Sequence, residues 1–356
     1  MSSPDAVPQQ VLRIVDASLN RVAEGLRVLE DVARLGLDDD VLTAELKSLR
    51  HDLVRGDRRL LGGLLSARDS AADVGVDIDV SGGAGQRDIE MTVVANARRA
   101  QESLRTLEEL AKLSGFPALD SEKFKHGRFR LYEIEKDLVG RVSRRDKARR
   151  VRGLYVLIDT AALVGRGHLE VARQALRGGA RVIQLRDKTT PKADLLELAR
   201  QLAELCAEHG ALFIMNDYLD VAIAGGADGL HLGPNDLPVA AARKLVPIDM
   251  ILGRSTTSPE LAAAAEADGV DYIAVGSMFP TPSKETAVVI GPETLARVRE
   301  MTSLPLVAIG GIDADNAAEV IAAGADAVAV ISAVVSAPDV EAASRRIAER
   351  FEADDG

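Results

Sequence analysis

Residues 181–217 read RVIQLRDKTTPKADLLELARQLAELCAEHGALFIMND, and this stretch decides the fold. A β-rich run at 181–186 precedes a helical run at 192–208, and a second β-rich run follows at 212–217. Short apolar runs that alternate with amphipathic helical runs are typical of parallel strands joined by crossover helices. The stretch therefore predicts a βαβ unit of a parallel sheet.

The same alternation continues on both sides of this unit. It places further strands at 154–159, 229–233, 250–255, 272–278, 305–311 and 327–332. Eight units in about 200 residues fit a closed barrel, so we predict the α/β class and a TIM (β/α)8 barrel at 153–356. An open doubly wound sheet is the alternative, but the turn after the first strand (159–165) lacks the glycine fingerprint of that fold.

Residues 1–140 predict an additional, all-α N-terminal domain. One helical face carries apolar side chains at regular spacing, namely Leu19, Val22, Leu26, Leu29 and Ala33. Helical patterns recur at 41–53, 89–113 and 121–139. The segment 141–152 is basic and lacks an apolar period, so we predict a linker or a fraying helix end there.

The helical domain contains an internal repeat. Residues 21–35 (RVAEGLRVLEDVARL) match residues 99–113 (RAQESLRTLEELAKL), with identical Glu, Leu, Arg and Ala at corresponding positions. We interpret the repeat as two equivalent helices whose Leu and Ala seams pack together, braced by Glu–Arg pairs. The alternative is that these charges only form a solvated face.

Composition excludes several classes of protein. The net charge of −11 and an aromatic content of 3% argue against nucleic-acid binding. The single cysteine, Cys206, rules out an intrachain disulfide and fits a reducing compartment. The sequence has neither a long apolar run nor an N-terminal leader pattern, so we expect a cytoplasmic protein without a membrane partner. The oligomeric state stays open, and a homo-oligomer is allowed.

Polar residues collect at the carboxyl ends of the predicted strands, where a TIM barrel places its active site. Gln184, Arg186 and Lys188 alternate along the second strand, so they share one side of it. The other strand ends carry Asn216, Asp217, His231, Asp236, Ser255, Thr281, Ser283, Lys284, Gly310, Gly311 and Ser332. We interpret His231 as a packed core histidine rather than a catalyst.

The pattern predicts two anion sites. Gly310–Gly311 at the end of the seventh strand and the small residue Ser332 at the end of the eighth match a recurrent phosphate site of barrels, with a plain turn as the alternative. Asp217 and Asp236 predict a Mg²⁺ site, with helix N-capping as the alternative. Three buried cations, Arg186, Lys188 and Lys284, would need a polyanion as counter-charge. Two phosphorylated ligands, one of them a metal-chelating diphosphate, predict group transfer with pyrophosphate as the leaving group.

Seven motifs in their order along the chain resemble the thiamine-phosphate synthase family. They are QLRDK (184–188), ND (216–217), HLGPND (231–236), GRS (253–255), PTPSK (280–284), VAIGGI (307–312) and VIS (330–332). The resemblance covers about residues 153–351. It implies that the barrel joins hydroxymethylpyrimidine diphosphate to thiazole phosphate, which gives thiamine phosphate and pyrophosphate.

The resemblance also implies a role for each matching residue. Gln184 would contact the pyrimidine, and Asp217 and Asp236 would hold one Mg²⁺ per barrel. The pyrophosphate would be held by Arg186, Lys188, Asn216, Ser255 and Lys284, of which Arg186, Lys188, Ser255 and Lys284 would be catalytic. The thiazole phosphate would be held by Thr281, Ser283, Gly311, Ile331 and Ser332. Two positions depart from the family pattern: Pro234–Asn235 replaces Gln-Glu, and Ser283 replaces Thr.

The expected mechanism is dissociative. The attacking thiazole nitrogen carries no proton, so no general base is required, and the strand ends hold no catalytic triad. The family expectation is a pyrimidine carbocation whose departing pyrophosphate is stabilised by Mg²⁺, arginine and lysine.

The helical half resembles a small domain that is found fused to this synthase and is associated with hydroxymethylpyrimidine phosphate kinase activity. The motifs are DASLNRVAE (16–24), LRVLED (26–31), LKSLRHDL (46–53), ARDSAADVG (67–75) and RRAQESLRTLEEL (98–110). The resemblance implies ATP as a substrate, although no P-loop is present. The segment 73–88 fits a loop that closes over a nucleotide or a plain connection. Polar candidates are Arg21, Glu24, Arg27, Lys47, Arg50, His51, Arg68, Asp69, Asn96, Arg99 and Glu102.

Three functions remain open at this point. The first is a bifunctional thiamine-biosynthetic transferase. The second is a synthase whose helical domain only dimerises or regulates. The third is a non-synthase relative with the same barrel, such as a thiazole tautomerase, in which we would expect the pyrophosphate residues to be lost.

Overall fold

The computed structural model describes residues 8–55, 58–68, 88–113, 119–281 and 288–352. By Cα proximity the chain divides into two compact units, Met1–Ser143 and Arg144–Gly356. Within the described residues, no helix combines the length and the apolar character that crossing a membrane requires.

The first unit is all-helical. Its helices are α1 (Gln9–Asp31), α2 (Asp40–Val54), α3 (Arg58–Ala67), α4 (Ile89–Leu110) and α5 (Ser121–Ala148), and one π-helical turn, Val32–Gly36, follows α1. The residues of α5 from Arg144 on belong to the second unit. The predicted apolar face of α1 is buried against the corresponding faces of α2, α4 and α5. These helices form because apolar side chains recur every three or four residues and meet in one common core.

The internal repeat packs as predicted, since α1 and α4 lie side by side. Gly25 of α1 sits at their crossing, where an added Cβ would lie 2.8 Å from the Asn96 carbonyl oxygen. The equivalent Glu30 and Glu108 are not simply solvated: Glu30 pairs with Arg50 of α2, and buried Glu108 pairs with Arg128 of α5. The outward Arg21, Glu24, Arg27 and Glu102 do form a solvated face.

The second unit is a closed barrel of eight parallel strands in the order of the chain. The strands are β1 (Gly153–Asp159), β2 (Ala180–Arg186), β3 (Leu212–Asn216), β4 (Gly229–Leu232), β5 (Ile251–Thr256), β6 (Tyr272–Val275), β7 (Leu306–Ile309) and β8 (Ala327–Val330). The helices are α6 (His168–Arg177), α7 (Lys192–Glu208), α8 (Leu219–Ala224), α9 (Val239–Ala242), α10 (Pro259–Ala267), α11 (Gly291–Arg299), α12 (Ala317–Ala322), α13 (Ser332–Val335) and α14 (Val340–Glu352). The predicted TIM barrel is confirmed.

Two apolar layers hold the barrel. The outer layer lies between the strands and the surrounding helices, and it contains the fully buried Cys206 of α7. The inner layer fills the barrel and includes Tyr155, Leu212, Ile251 and Tyr272. Strand residues alternate between these layers because successive side chains of a strand point to opposite faces.

Of the two alternatives for the basic segment 141–152, a linker or a helix end, the structure shows a helix end, because α5 continues to Ala148. Ala148 and Val151 pack into the inner layer of the barrel. Arg144 pairs with Asp271, and Lys147 pairs with Asp249, both in segments that precede strands. The charges that suggested a solvated linker are therefore partners of carboxylates at the amino ends of the strands.

Candidate active site

The carboxyl ends of the strands surround a cavity of about 1180 Å³. It brings together eleven of the residues that the sequence predicted, namely Gln184, Arg186, Lys188, Asn216, Asp217, Asp236, Ser255, Thr281, Gly311, Ile331 and Ser332. Ser283 and Lys284 lie outside the described residues. The end of every strand of the barrel contributes to the wall, because parallel strands place all their carboxyl ends on one side.

Two cations of the site are paired with carboxylates. Arg186 pairs with Asp159 at the end of β1, and Lys188 pairs with Asp217 after β3. The side chains of Arg186 and Lys188 are 40% and 46% exposed, so the assumption that both cations are buried was wrong. Both side chains line the cavity and are partly exposed, so an incoming anion can reach them.

Asp217 adopts a left-handed backbone conformation with φ of 62°. A non-glycine residue in this region is uncommon and is a feature of functional sites, although Asp tolerates it better than most. The Asn216 amide donates to Asp217 Oδ1 at 2.5 Å, and the Asp217 N–H donates to the His231 carbonyl oxygen at 2.9 Å. These bonds hold the carboxylate toward the cavity.

Asp236 is held by its own loop. Its Oδ2 accepts from the Gly233 N–H at 2.7 Å, and an added Cβ at Gly233 would lie 2.9 Å from the same oxygen. Neither aspartate caps a helix, because α8 follows Tyr218 and α9 follows Pro238 without a side-chain cap. The N-cap alternative for Asp217 and Asp236 is therefore not what the structure shows.

The donor set fits a hard cation whose remaining ligands come from elsewhere. Within the described ranges, no group of three or more His, Cys, Asp or Glu side chains is arranged to hold a metal. Mg²⁺ is commonly bound by one or two carboxylates together with substrate phosphates and waters. Two carboxylates facing a cavity with cationic walls match that chemistry.

The glycine pair after β7 leaves no room for side chains. Gly310 and Gly311 have φ of 105° and 64°, and a Cβ on Gly311 would lie 2.5 Å from the Pro280 carbonyl oxygen. Positive φ and this close approach both require glycine. The pair brings main chain to the cavity wall beside Ser332, the first residue of α13.

Asp187, between the two predicted cations, is a residue that the sequence argument missed. Its buried carboxylate accepts five hydrogen bonds, from the Thr160 hydroxyl and from the N–H and hydroxyl groups of Thr189 and Thr190. Burial alone would raise the pKa of Asp187, but these donors hold it well below its usual range. These five hydrogen bonds to Asp187 fix the backbone between Arg186 and Lys188.

A buried hydrogen-bond network supports the cavity, and its member Tyr155 was also missed. Gln184 Nε2 donates to the Tyr155 hydroxyl at 2.6 Å, and Ser255 Oγ lies 2.9 Å from His231 Nε2. His231 is buried, as predicted, but it hydrogen-bonds to a site residue. The available signal was spacing, since Tyr155 lies two residues before Leu157 and four before Asp159, on the face that points into the barrel.

The polar candidates of the helical unit are not gathered in the same way. Arg50 pairs with Glu30, and Arg68 pairs with Asp16 in a bidentate contact. Asn96 and Arg99 contact each other at 3.3 Å, and Arg21, Glu24, Arg27, Lys47, His51 and Glu102 are exposed. Asp69 and residues 73–87 lie outside the described residues.

Comparisons with known proteins match the helical part and the barrel to two different families. Residues 154–334 match the family described as thiamine monophosphate synthase, and residues 13–137 match the ThiD2 family. The thiamine-phosphate synthase of Thermosynechococcus vestitus is 38% identical over 98% of this chain and 97% of its own length.

Other relatives cover the barrel alone. The thiamine-phosphate synthase of Methanoculleus marisnigri is 54% identical over 56% of this chain and 95% of its own length. Among solved structures, a thiamine phosphate pyrophosphorylase from Pyrococcus furiosus is 42% identical, with a TM-score of 0.55 over 58% of this chain and 99% of that one.

Proposed function

The chain belongs to the thiamine-phosphate synthase family and is a transferase of thiamine biosynthesis; from this premise, we propose that the barrel cavity joins hydroxymethylpyrimidine diphosphate to thiazole phosphate. The observation that carries the proposal is the convergence of eleven predicted residues on one cavity. The retained pyrophosphate residues argue against a non-synthase relative that shares the barrel.

The charges of the site suit departure of a diphosphate. Arg186 and Lys188 line the cavity just before and just after Asp187 in the chain, and each pairs with a carboxylate. A diphosphate that enters can take both cations from those carboxylates, which frees Asp217 for a metal. Asp217 and Asp236 would then hold Mg²⁺, whose positive charge would further stabilise the leaving group.

The chemistry at carbon needs no proton acceptor. C–O cleavage leaves positive charge on the electron-rich aminopyrimidine, and the thiazole nitrogen then adds to it with its lone pair. We assign Gln184 to the pyrimidine, Asn216 and Ser255 to the pyrophosphate with the two cations, and Lys284 to the same anion. The thiazole phosphate would bind at Thr281, Ser283, Gly311, Ile331 and Ser332.

Charge-neutral substitutions test the metal–diphosphate assignment. We expect Asp217→Asn and Asp236→Asn to lower kcat by about 100-fold or more, because both remove negative charge where the cation is needed. Asp220→Asn, on the exposed side of α8 and paired with Lys192, is the matched control and should stay within about 2-fold. The readout is thiamine phosphate formed as a function of Mg²⁺ concentration. Near-normal rates in both site variants would refute the assignment.

For the helical unit we propose ATP-dependent hydroxymethylpyrimidine phosphate kinase activity, supported by the ThiD2 match. The test supplies the monophosphate pyrimidine, ATP and Mg²⁺ to the Asp217→Asn variant. A kinase would consume ATP and accumulate the diphosphate, which the disabled barrel cannot use. If wild type uses the diphosphate but never the monophosphate with ATP, the helical unit has a non-catalytic role.

A further inference from the structure

A continuous hydrogen-bonded chain crosses the interior of the barrel below the cavity. Tyr155 Oη lies 3.2 Å from Tyr272 Oη, and Tyr272 Oη lies 3.0 Å from His231 Nδ1. With the contacts of Gln184 to Tyr155 and of His231 to Ser255, the chain runs Gln184–Tyr155–Tyr272–His231–Ser255. Both of its ends are residues that line the cavity.

The barrel makes room for this chain at Gly253. In the strand register, Gly253 of β5 lies between His231 of β4 and Tyr272 of β6 at the same level. A Cβ on Gly253 would lie only 2.0 Å from Tyr272 Cζ. Because this position has no side chain, the phenol and the imidazole meet in front of β5, with ring centroids 5.7 Å apart. The glycine of the GRS motif is therefore the position that leaves room for the hydrogen-bonded chain.

The two phenols keep their hydrogens, so each has one hydrogen to donate. Tyr155 and Tyr272 are buried, and burial raises the pKa of both phenols. Both nitrogens of the His231 ring have a hydrogen-bond partner, the Tyr272 hydroxyl at Nδ1 and the Ser255 hydroxyl at Nε2. A buried hydroxyl hydrogen without an acceptor destabilises the fold, so each hydrogen must find one.

The first bond gives the chain its direction, because the Gln184 atom that faces the Tyr155 hydroxyl is Nε2. The Gln184 amide N–H can only donate, so the Tyr155 oxygen accepts and its hydrogen goes to Tyr272. The Tyr272 hydrogen then goes to His231 Nδ1, which places the imidazole proton on Nε2. His231 Nε2–H donates to Ser255 Oγ, and the hydrogen of Ser255 is left to point into the cavity.

We propose that Tyr155, Tyr272 and His231 are positioning residues that fix a hydrogen-bond pattern for the pyrimidine diphosphate. The pattern presents the carbonyl oxygen of Gln184 as an acceptor toward the pyrimidine and the hydroxyl of Ser255 as a donor toward the pyrophosphate. The amino group of an aminopyrimidine is an N–H donor that matches the Gln184 carbonyl oxygen, whereas the 4-oxo analogue places an acceptor there. The identity of the substrate in this proposal rests on the proposed function. With that substrate, the hydrogen-bonded chain makes the site specific for the amino form.

The tautomer of His231 tests the direction of the chain without any substrate. The full chain has five histidines, so ¹⁵N-histidine labelling gives a small spectrum in which His231→Gln identifies the signal. We expect protonated Nε2 and unprotonated Nδ1, and loss of this preference in Tyr272→Phe. A proton on Nδ1 in the wild type would overturn the proposal. Because no turnover is measured, this result does not depend on the synthase activity.

Kinetics test the consequence for specificity. In Tyr155→Phe and Tyr272→Phe, we expect kcat/KM for the aminopyrimidine diphosphate to fall about 10-fold, while KM for thiazole phosphate is unchanged. Discrimination against the 4-oxo diphosphate should fall by a similar factor. Tyr132→Phe, at an exposed tyrosine of α5, is the matched control and should behave as wild type.

Two kinetic outcomes count against the proposal. One is an equal loss toward both substrates, which indicates general damage to the barrel, and the other is unaltered discrimination in both folded variants. If wild type forms no thiamine phosphate at all, the proposed function fails, while the tautomer still decides the direction of the chain.

Discussion

His231 illustrates how burial sets the state of one side chain. Its imidazole is 8% exposed and makes hydrogen bonds through both nitrogens. The pKa of about 4 means that the folded protein releases a proton that the unfolded chain would bind below pH 6.5. This residue therefore lowers the free energy of unfolding in acid, and the loss grows as the pH falls from 6.5 toward 4.

The expected consequence is a pH-dependent difference between wild type and His231→Gln. From pH 7 to pH 5, the free energy of unfolding of wild type should fall by about 2 kcal/mol more than that of the variant. Denaturant titrations followed by tyrosine fluorescence can measure it, since the chain has no tryptophan. Parallel pH profiles for the two proteins would mean that His231 titrates normally.

At the level of residues, the sequence predicted the charged side chains near the strand ends. It missed the residues that hold those side chains in place. Asp217, Asp236, Arg186 and Lys188 follow strands, and the fold brings them into one cavity. Asp187 was passed over because its five donors come from three threonines whose convergence depends on the loop conformation. Tyr155 and Tyr272 look like ordinary core residues until the barrel closes.

At the level of elements, strands and long amphipathic helices could be predicted because each has its own period. Their ends were less certain: the third strand was expected to include Asp217 but ends at Asn216. Helix α3 (Arg58–Ala67) was not predicted, since Gly62 and Gly63 interrupt its helical pattern. The end of α5 could not be told from a linker, because the few apolar residues of segment 141–152 show no period.

Substitution by alanine should change the stability of the helical unit in opposite directions at two glycines, one at the crossing of α1 and α4 and one in α3. Gly25→Ala should lower the stability of the helical unit by about 1–2 kcal/mol, because the new methyl group meets the Asn96 carbonyl oxygen. Gly62→Ala in α3 meets nothing within 4 Å and should raise stability by about 0.5–1 kcal/mol through helix propensity. Thermal unfolding followed by circular dichroism compares them, and a gain in both would contradict the close crossing.

For the whole molecule, we predict that the two units can be separated between Ser143 and Arg144. The thiamine-phosphate synthase of Methanoculleus marisnigri matches 56% of this chain over 95% of its own length, so we expect a 144–356 fragment to keep the wild-type rate with the diphosphate substrate. A 153–356 fragment loses Ala148, Val151 and the Arg144–Asp271 pair, and its Tm should be about 5 °C lower or more. Differential scanning calorimetry makes the comparison, and equal Tm values would show that residues 144–152 add nothing.

The buried Cys206 has a practical consequence, because it is the only thiol of the chain. Burial raises its pKa to about 12, so the closed barrel presents almost no thiolate to a reagent at neutral pH. Alkylation can then proceed only through rare openings of the layer between α7 and the sheet. The rate of alkylation under native conditions therefore measures how often that layer opens. A ligand that binds only the closed barrel will slow alkylation, and a tighter ligand will slow it more.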